Sequence, residues 1–402
     1  MTQPARSGHT PTLIASLLHF DMSFMLWVLP ASLSVFIAED LHLSASLKGL
    51  LVAVPILTGS LLRIPIGLLA DRLGGRVVGA ALLAFLFLPL AAGWLLPPSV
   101  GTMFLVAAGT GVAGASFAVA LPLASRWYPP ERQGLVMGVA AAGNSGTVVV
   151  NLVAPRLASV IGWPAVFAVA MLPLALVLVS FLVCAREAPG GAQPSAAAAA
   201  RVFTASDAWF FCVFYAVTFG GYAGLSAFLP ILFRDQYGAT PIVAGQVTAM
   251  AAVVGSLSRP FGGLIADRLG GVRVLAVTLA GIALVYALAA RLPAWPGMLT
   301  LMVIGMACLG IGNGAVFQLV PLRFGRDIGL ATGLVGAVGG LGGFLLPTLL
   351  GAARQTTGSF GAAFAVMGVA AALVAALLQV LAVVQDGWRL GWRAPVGSVE
   401  EA

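Results

Sequence analysis

R-I-P-I-G-L-L-A-D-R-L-G-G, from Arg63 to Gly75, returns as R-P-F-G-G-L-I-A-D-R-L-G-G from Arg259 to Gly271. The offset, 259 − 63 = 196, is about half of the 402 residues, which marks an internal duplication. A second echo follows each copy, L-P-L around Pro122 and V-P-L around Pro321. Each copy opens on an arginine inside an apolar run and closes on D-R-L-G-G. That ending suits a tight loop after a helix: glycines permit the turn, and Asp71 and Asp267 can pair with basic groups or helix termini. Eight residues separate each arginine from its aspartate, so in a helix Arg63 and Arg259 stand about 12 Å from the loop.

The composition names the solvent around those arginines. Hydrophobic residues make up 60% and charged residues 8%, with a mean hydropathy of +1.05, which no soluble protein of this size carries on its surface. A spanning helix needs about 20 apolar residues. Runs of that kind are expected at 12–38, 47–70, 77–97, 102–125, 134–158 and 163–185, then at 206–232, 241–266, 274–292, 298–322, 328–350 and 361–384. The first is too long for a signal peptide and reads as a helix. The expectation is an all-α polytopic membrane protein of about twelve helices: a first half over 1–185, a cytoplasmic linker over 186–205 with Pro189, Pro194 and an alanine run, and a second half over 206–402.

With both termini placed in the cytoplasm, thirteen arginines fall on the inner side, and Lys48 with four arginines on the outer side. That asymmetry predicts a multi-pass cell-membrane protein. It also accounts for the net charge of +7 without a nucleic-acid partner. Three cysteines and three histidines are scattered without metal or triad spacing, so no metal, cofactor or enzymatic site is expected.

An arginine at mid-membrane depth is costly and faces a cavity or a partner. None of the thirteen acidic residues falls clearly in the middle of an expected helix, with Asp21 and His19 placed near the start of the first. Two guanidiniums without a counter-ion that converge across a pseudo-twofold axis are best relieved by a bound anion. Their planar donor forks suit a small planar oxyanion, and nitrate and nitrite have that shape.

Two repeated six-helix halves with D-R-L-G-G-R at 71–76 resemble the major facilitators, whose substrate site lies near the midplane between halves. F-D-M-S-F-M-L-W-V at 20–28, K-G-L-L-V-A-V-P-I-L-T-G-S-L-L-R-I-P-I-G at 48–67 and G-N-S-G-T-V-V-V-N-L-V-A-P at 143–155 resemble the nitrate/nitrite porters among them. So do G-I-G-N-G-A-V-F-Q-L-V-P at 310–321 and G-A-V-G-G-L-G-G-F-L-L-P at 336–347. The resemblance implies that Arg63 and Arg259 bind the anion, that Asn144 and Tyr215 donate to its oxygens, and that Phe117 and Phe219 wall it in. Gly143, Gly146, Gly339 and Gly340 belong to its glycine-rich fifth and eleventh helices, which pack closely and expose backbone to a small ligand. Asp71, Arg72, Arg76, Asp267 and Arg268 fit gating and structural roles. Asn313 and Gln318 either line the pathway or bridge helices; Asn151 stands where related porters often carry glutamine.

The expected activity is exchange of nitrate against nitrite by rocking of the halves, in a monomer whose partners are small anions and lipid. Proton-coupled nitrate uptake is the alternative, through Asp21 and His19. A proton-driven exporter of organic anions or drugs would want a wider, more acidic cavity, and a sensor or scaffold would want an added soluble domain.

Overall fold

In lipid an apolar run must satisfy its backbone within itself, and the described apolar runs do so as helices. The computed structural model describes residues 8–128, 145–188, 201–324 and 328–392, and no strand occurs among them. The first half holds α1 (Thr10–Asp40), α2 (Ala45–Leu73), α3 (Gly75–Leu95), α4 (Val100–Ser125), the shorter α5 (Ser145–Ile161) and α6 (Trp163–Cys184). The second holds α7 (Ser206–Tyr237), α8 (Pro241–Leu269), α9 (Gly271–Ala289), α10 (Trp295–Phe324), α11 (Ile328–Thr357) and α12 (Gly361–Val384), followed by a turn of helix, α13 (Asp386–Leu390). All but α5 and α13 are long and apolar enough to cross a membrane. The expected first part of α5, 134–144, lies outside the described residues.

The duplication extends to the backbone. Helices α2 and α8 have 29 residues each and start and stop at equivalent positions. Ser44 caps one by accepting from Leu47 N–H, and Thr240 caps the other by accepting from Val243 N–H, each satisfying an orphan donor of the first turn. Gly74 and Gly270 end them at φ 96° and 94°, a region that favours glycine. Where the helices outrun the apolar pattern, a glycine decides the end: α7 runs on to Tyr237 before left-handed Gly238, and α11 to Thr357 before Gly358.

The halves meet along two seams. Helices α2 and α11 run antiparallel, and a methyl group added to Gly49 would strike the Pro347 carbonyl. One added to Gly245, the equivalent position in α8, would strike the Asn151 carbonyl of α5. Small residues here bring backbones together. At the end of the bundle far from the start of α1, charges also join the halves: Lys48 meets Asp235 at 2.7 Å and Arg234 meets Glu39 at 2.7 Å. The Ala45 N–H donates to Gln355 Oε1 at 3.1 Å there. At the near end, the ion pairs between described residues Asp71 and Arg126, and Asp207 and Arg323, each stay within one half. The far end is closed.

Candidate functional site

Helices α2 and α8 carry Arg63 and Arg259 ten residues before their near ends, about 15 Å deep in each case. Arg63 is 3% exposed. Its Nε donates to the Gly114 carbonyl of α4 at 3.0 Å, and Nη1 to the Gly336 carbonyl of α11 at 2.5 Å. One arginine therefore ties a first-half helix to a second-half helix. Its Nη2 is buried without a hydrogen-bond partner among the described residues. A buried donor left unpaired costs free energy, and a charged one more.

Among the described residues, aromatic rings rather than carboxylates hold the guanidiniums. The Arg63 guanidinium lies 5.4 Å from the Phe117 ring centre and 5.2 Å from that of Phe219, so rings from opposite halves flank it. Arg259 is half-buried; its Nη2 donates to the Tyr215 hydroxyl at 3.2 Å, and its guanidinium lies 5.3 Å from Phe317. Tyr215 stacks on Phe219 one turn along α7 (4.9 Å, 2° between planes) and meets Phe317 edge-on at 4.9 Å. Phe117 and Phe317 are 6.5 Å apart. One collar thus links both arginines through cation–π contacts of about 0.5–2 kcal/mol each. It leaves positive charge, a free N–H and flat apolar walls, the complement of a small planar anion.

The profile of the Major Facilitator Superfamily matches residues 15–347, and again 212–394. The Nitrite extrusion protein of Bacillus subtilis (strain 168) is 35% identical over 350 residues, 85% of this chain and 86% of that one. The Probable nitrate/nitrite transporter NarK2 of Mycobacterium tuberculosis (strain CDC 1551 / Oshkosh) is 36% identical over 368 residues, 88% and 91% of the two chains. This chain is a nitrate/nitrite porter of the Major Facilitator Superfamily by family. The Probable nitrate/nitrite antiporter NarK1 of Thermus thermophilus is 33% identical, covering 85% of each chain. A bacterial homolog to the human lysosomal transporter Spinster shares the fold, with a TM-score of 0.69 over 98% of both chains at 19% identity.

The porter's eleventh-helix glycines abut the collar. A methyl group on Gly339 would strike the Tyr215 ring, and one on Gly336 or Gly340 would sit 3.7 Å from Arg63 Nη1. On α5, one on Gly146 would strike the Asp21 carbonyl. Gly143 and Asn144 lie outside the described residues. At the near end Asp71 pairs with Arg126, while Arg76 donates from Nη2 to the Leu182 carbonyl at 2.7 Å and from its backbone to Glu187 at 2.6 Å. Arg72, Asp267 and Arg268 are exposed there.

Three polar residues divide. Asn151 bridges helices, accepting from Ser32 Oγ at 2.7 Å and donating to the Thr147 carbonyl at 2.7 Å. Asn313 is buried one turn from Phe317 on α10, its Oδ1 unpartnered among the described residues. Gln318 packs beside Gly271, away from the collar, its Oε1 likewise unpartnered.

Sequence reasoning missed Phe317 and misjudged Asp21. Phe317 sits in the quoted stretch 310–321 without anything to distinguish it from packing. Asp21 is not near the start of its helix: it lies eleven residues into α1, about 16 Å and level with the two arginines. It accepts from Ser145 Oγ on α5 at 2.7 Å. His19 points elsewhere, its Nε2 3.1 Å from the Gly79 carbonyl and its ring against Phe181.

Proposed function

We propose that this porter carries nitrate and nitrite across the cell membrane at the Arg63–Arg259 pair and exchanges one for the other. The observation that carries the reading is the unpaired, buried Nη2 of Arg63 inside an aromatic collar that also holds Arg259. The names of its relatives supply the substrates, and one of them the word antiporter. Phe117 and Phe219 would bracket the anion's faces, Tyr215 would donate to an oxygen, and Asn144 would add its amide by the family resemblance. Asn313 would line the route beside Phe317.

Alternating access follows from the charges. The two guanidiniums repel each other when the cavity closes empty; a bound anion neutralises part of that charge and lets the halves rock about the site. The halves are assigned to 1–185 and 206–402, joined by 186–205, and the porter acts as a monomer. The near end is assigned to the cytoplasm on the distribution of arginines. There Asp71, Arg72 and Arg76, with Asp267 and Arg268, stabilise the gate that closes when the far end opens.

Counterflow in proteoliposomes tests exchange: internal nitrite accelerates nitrate entry, with no requirement for a pH gradient. One observation favours a second reading, proton-coupled nitrate uptake: Asp21 is a carboxylate at the depth of the arginines. In that case uptake requires the gradient, and Asp21→Asn abolishes the requirement. Strict dependence on the gradient refutes exchange.

A further inference from the structure

The duplication reaches one turn beyond the arginines. Gly59-Ser60-Leu61-Leu62-Arg63 matches Gly255-Ser256-Leu257-Ser258-Arg259 at the same offset, so each arginine has a serine one turn toward the far end, on its own helix face. Ser60 is 1% exposed, and its Oγ has no hydrogen-bond partner among the described residues. A hydroxyl in a membrane helix can bond the carbonyl four residues back. Thr58, Thr110, Thr218 and Thr248 all do so here, at 3.1, 2.8, 3.1 and 2.8 Å.

Other buried serines, such as Ser16 and Ser34, are also unpartnered. Ser60 differs in having the free Nη2 of Arg63 one turn away. Both side chains face Gly340 of α11: a methyl group there would strike Ser60 Oγ and approach Arg63 Nη1. The missing side chain of Gly340 lets Ser60 Oγ and the Arg63 guanidinium approach α11 side by side. In the second half, Ser256 shares a hydrogen bond with the Tyr222 hydroxyl at 2.8 Å, while Arg259 holds Tyr215, seven residues earlier on α7. Each half therefore presents a neutral hydroxyl and a guanidinium on one helix face.

We propose that Ser60, and from the other half Ser256 with Tyr222, are substrate-binding residues that donate to the anion's second acceptor oxygen. The proposal rests on the anion site assigned above and deepens it. An arginine alone attracts any small anion by charge. A hydroxyl one turn away, offset from the guanidinium, matches a ligand with two separated acceptor atoms, an oxyanion, better than a spherical halide, whose single atom has to meet both donors from one point. The serines thus set selectivity for nitrogen oxyanions over chloride.

The test is nitrate uptake by Ser60→Ala in proteoliposomes, with chloride as competitor and Arg63→Lys alongside. The expected result is a KM for nitrate raised about tenfold, the effect of one hydrogen bond to a charged group, with chloride inhibition unchanged. Thermal stability holds or rises, because an unsatisfied buried hydroxyl has been removed. Ser256→Ala costs less, since Tyr222 remains, and Ser256→Ala with Tyr222→Phe restores the full effect. Should Ser60→Ala fold poorly, Ser60→Cys, close in size and a weak donor, shows the same loss of nitrate affinity. A nitrate KM within twofold of the parent, with Arg63→Lys inactive, overturns the serine proposal and leaves the arginine site standing. Equal loss for nitrate and chloride together with lost stability makes Ser60 structural. Full affinity in Arg63→Lys overturns the underlying site instead.

Discussion

Lys48 and Asp235 join the halves at the far end with only 20% and 18% of their side chains exposed. Their attraction at 2.7 Å is several kcal/mol before desolvation, about 6 at an effective dielectric constant of 20, and desolvation with side-chain ordering reduces the net value to about 1 kcal/mol. Arg234 and Glu39, 37% and 49% exposed, add less. Asp235→Lys replaces attraction with repulsion, a change of about 1–2 kcal/mol, and so raises the ratio of far-end-open to far-end-closed porter about 5- to 30-fold. Ala227 reports this: it is buried in the small cavity that Phe24, Trp27 and Tyr222 also line, between the halves on the far side of the collar. With Cys184, Cys212 and Cys308 replaced, a cysteine at 227 is alkylated by an impermeant reagent only when the far end opens. Asp235→Lys speeds this labelling by the stated factor, and Lys48→Asp with Asp235→Lys returns it to within about twofold. Unchanged labelling, or a swap that does not restore it, refutes the latch.

Gly339→Ala drives a methyl group into a Tyr215 ring that Phe219 and Phe317 hold in place. It costs about 1–3 kcal/mol of stability and about tenfold in nitrate affinity by titration, through the lost Arg259–Tyr215 bond. Gly333→Ala, with no atom of a described residue within 4 Å of the added methyl group, leaves nitrate affinity unchanged. Phe317→Leu removes the ring over Arg259 and raises the nitrate KM about three- to tenfold, the worth of one cation–π contact, with expression retained. Gly74→Ala and Gly270→Ala carry equal backbone strain at φ 96° and 94°. Gly74→Ala lowers the melting temperature further, because its methyl group would lie 2.8 Å from the Glu187 oxygen that accepts from Arg76, while no described residue stands near Gly270.

The repeat made much of the fold legible, because a duplicated segment must satisfy the same boundary conditions twice. Ser44 and Thr240 cap, Gly74 and Gly270 turn, and the arginines arrive at equal depth. Tyr215 and Phe219 were readable as one face by their spacing of four. Phe317 was not, since an apolar helix gives every ring the same background and only the neighbouring helices pick the one over Arg259. Asp21 was misplaced because α1, at 31 residues, is longer than a membrane requires, so distance from the end of an apolar run misstates depth. Lys48 and Asp235 are 187 residues apart, and no local pattern announces that pairing. Asn151 carries the same amide whether it bridges helices or meets substrate, and its bonds to Ser32 and Thr147 are set by neighbours that no local pattern reveals.

Nitrate binding to purified Arg63→Lys and Arg259→Lys tests the central assignment most directly. Lysine keeps the charge but not the fork that spans from Gly114 to Gly336 while leaving Nη2 free, nor the planar face against Phe117, Phe219 and Phe317. The account predicts that both variants fold, reach the membrane and lose detectable nitrate binding; parental affinity in both would contradict it.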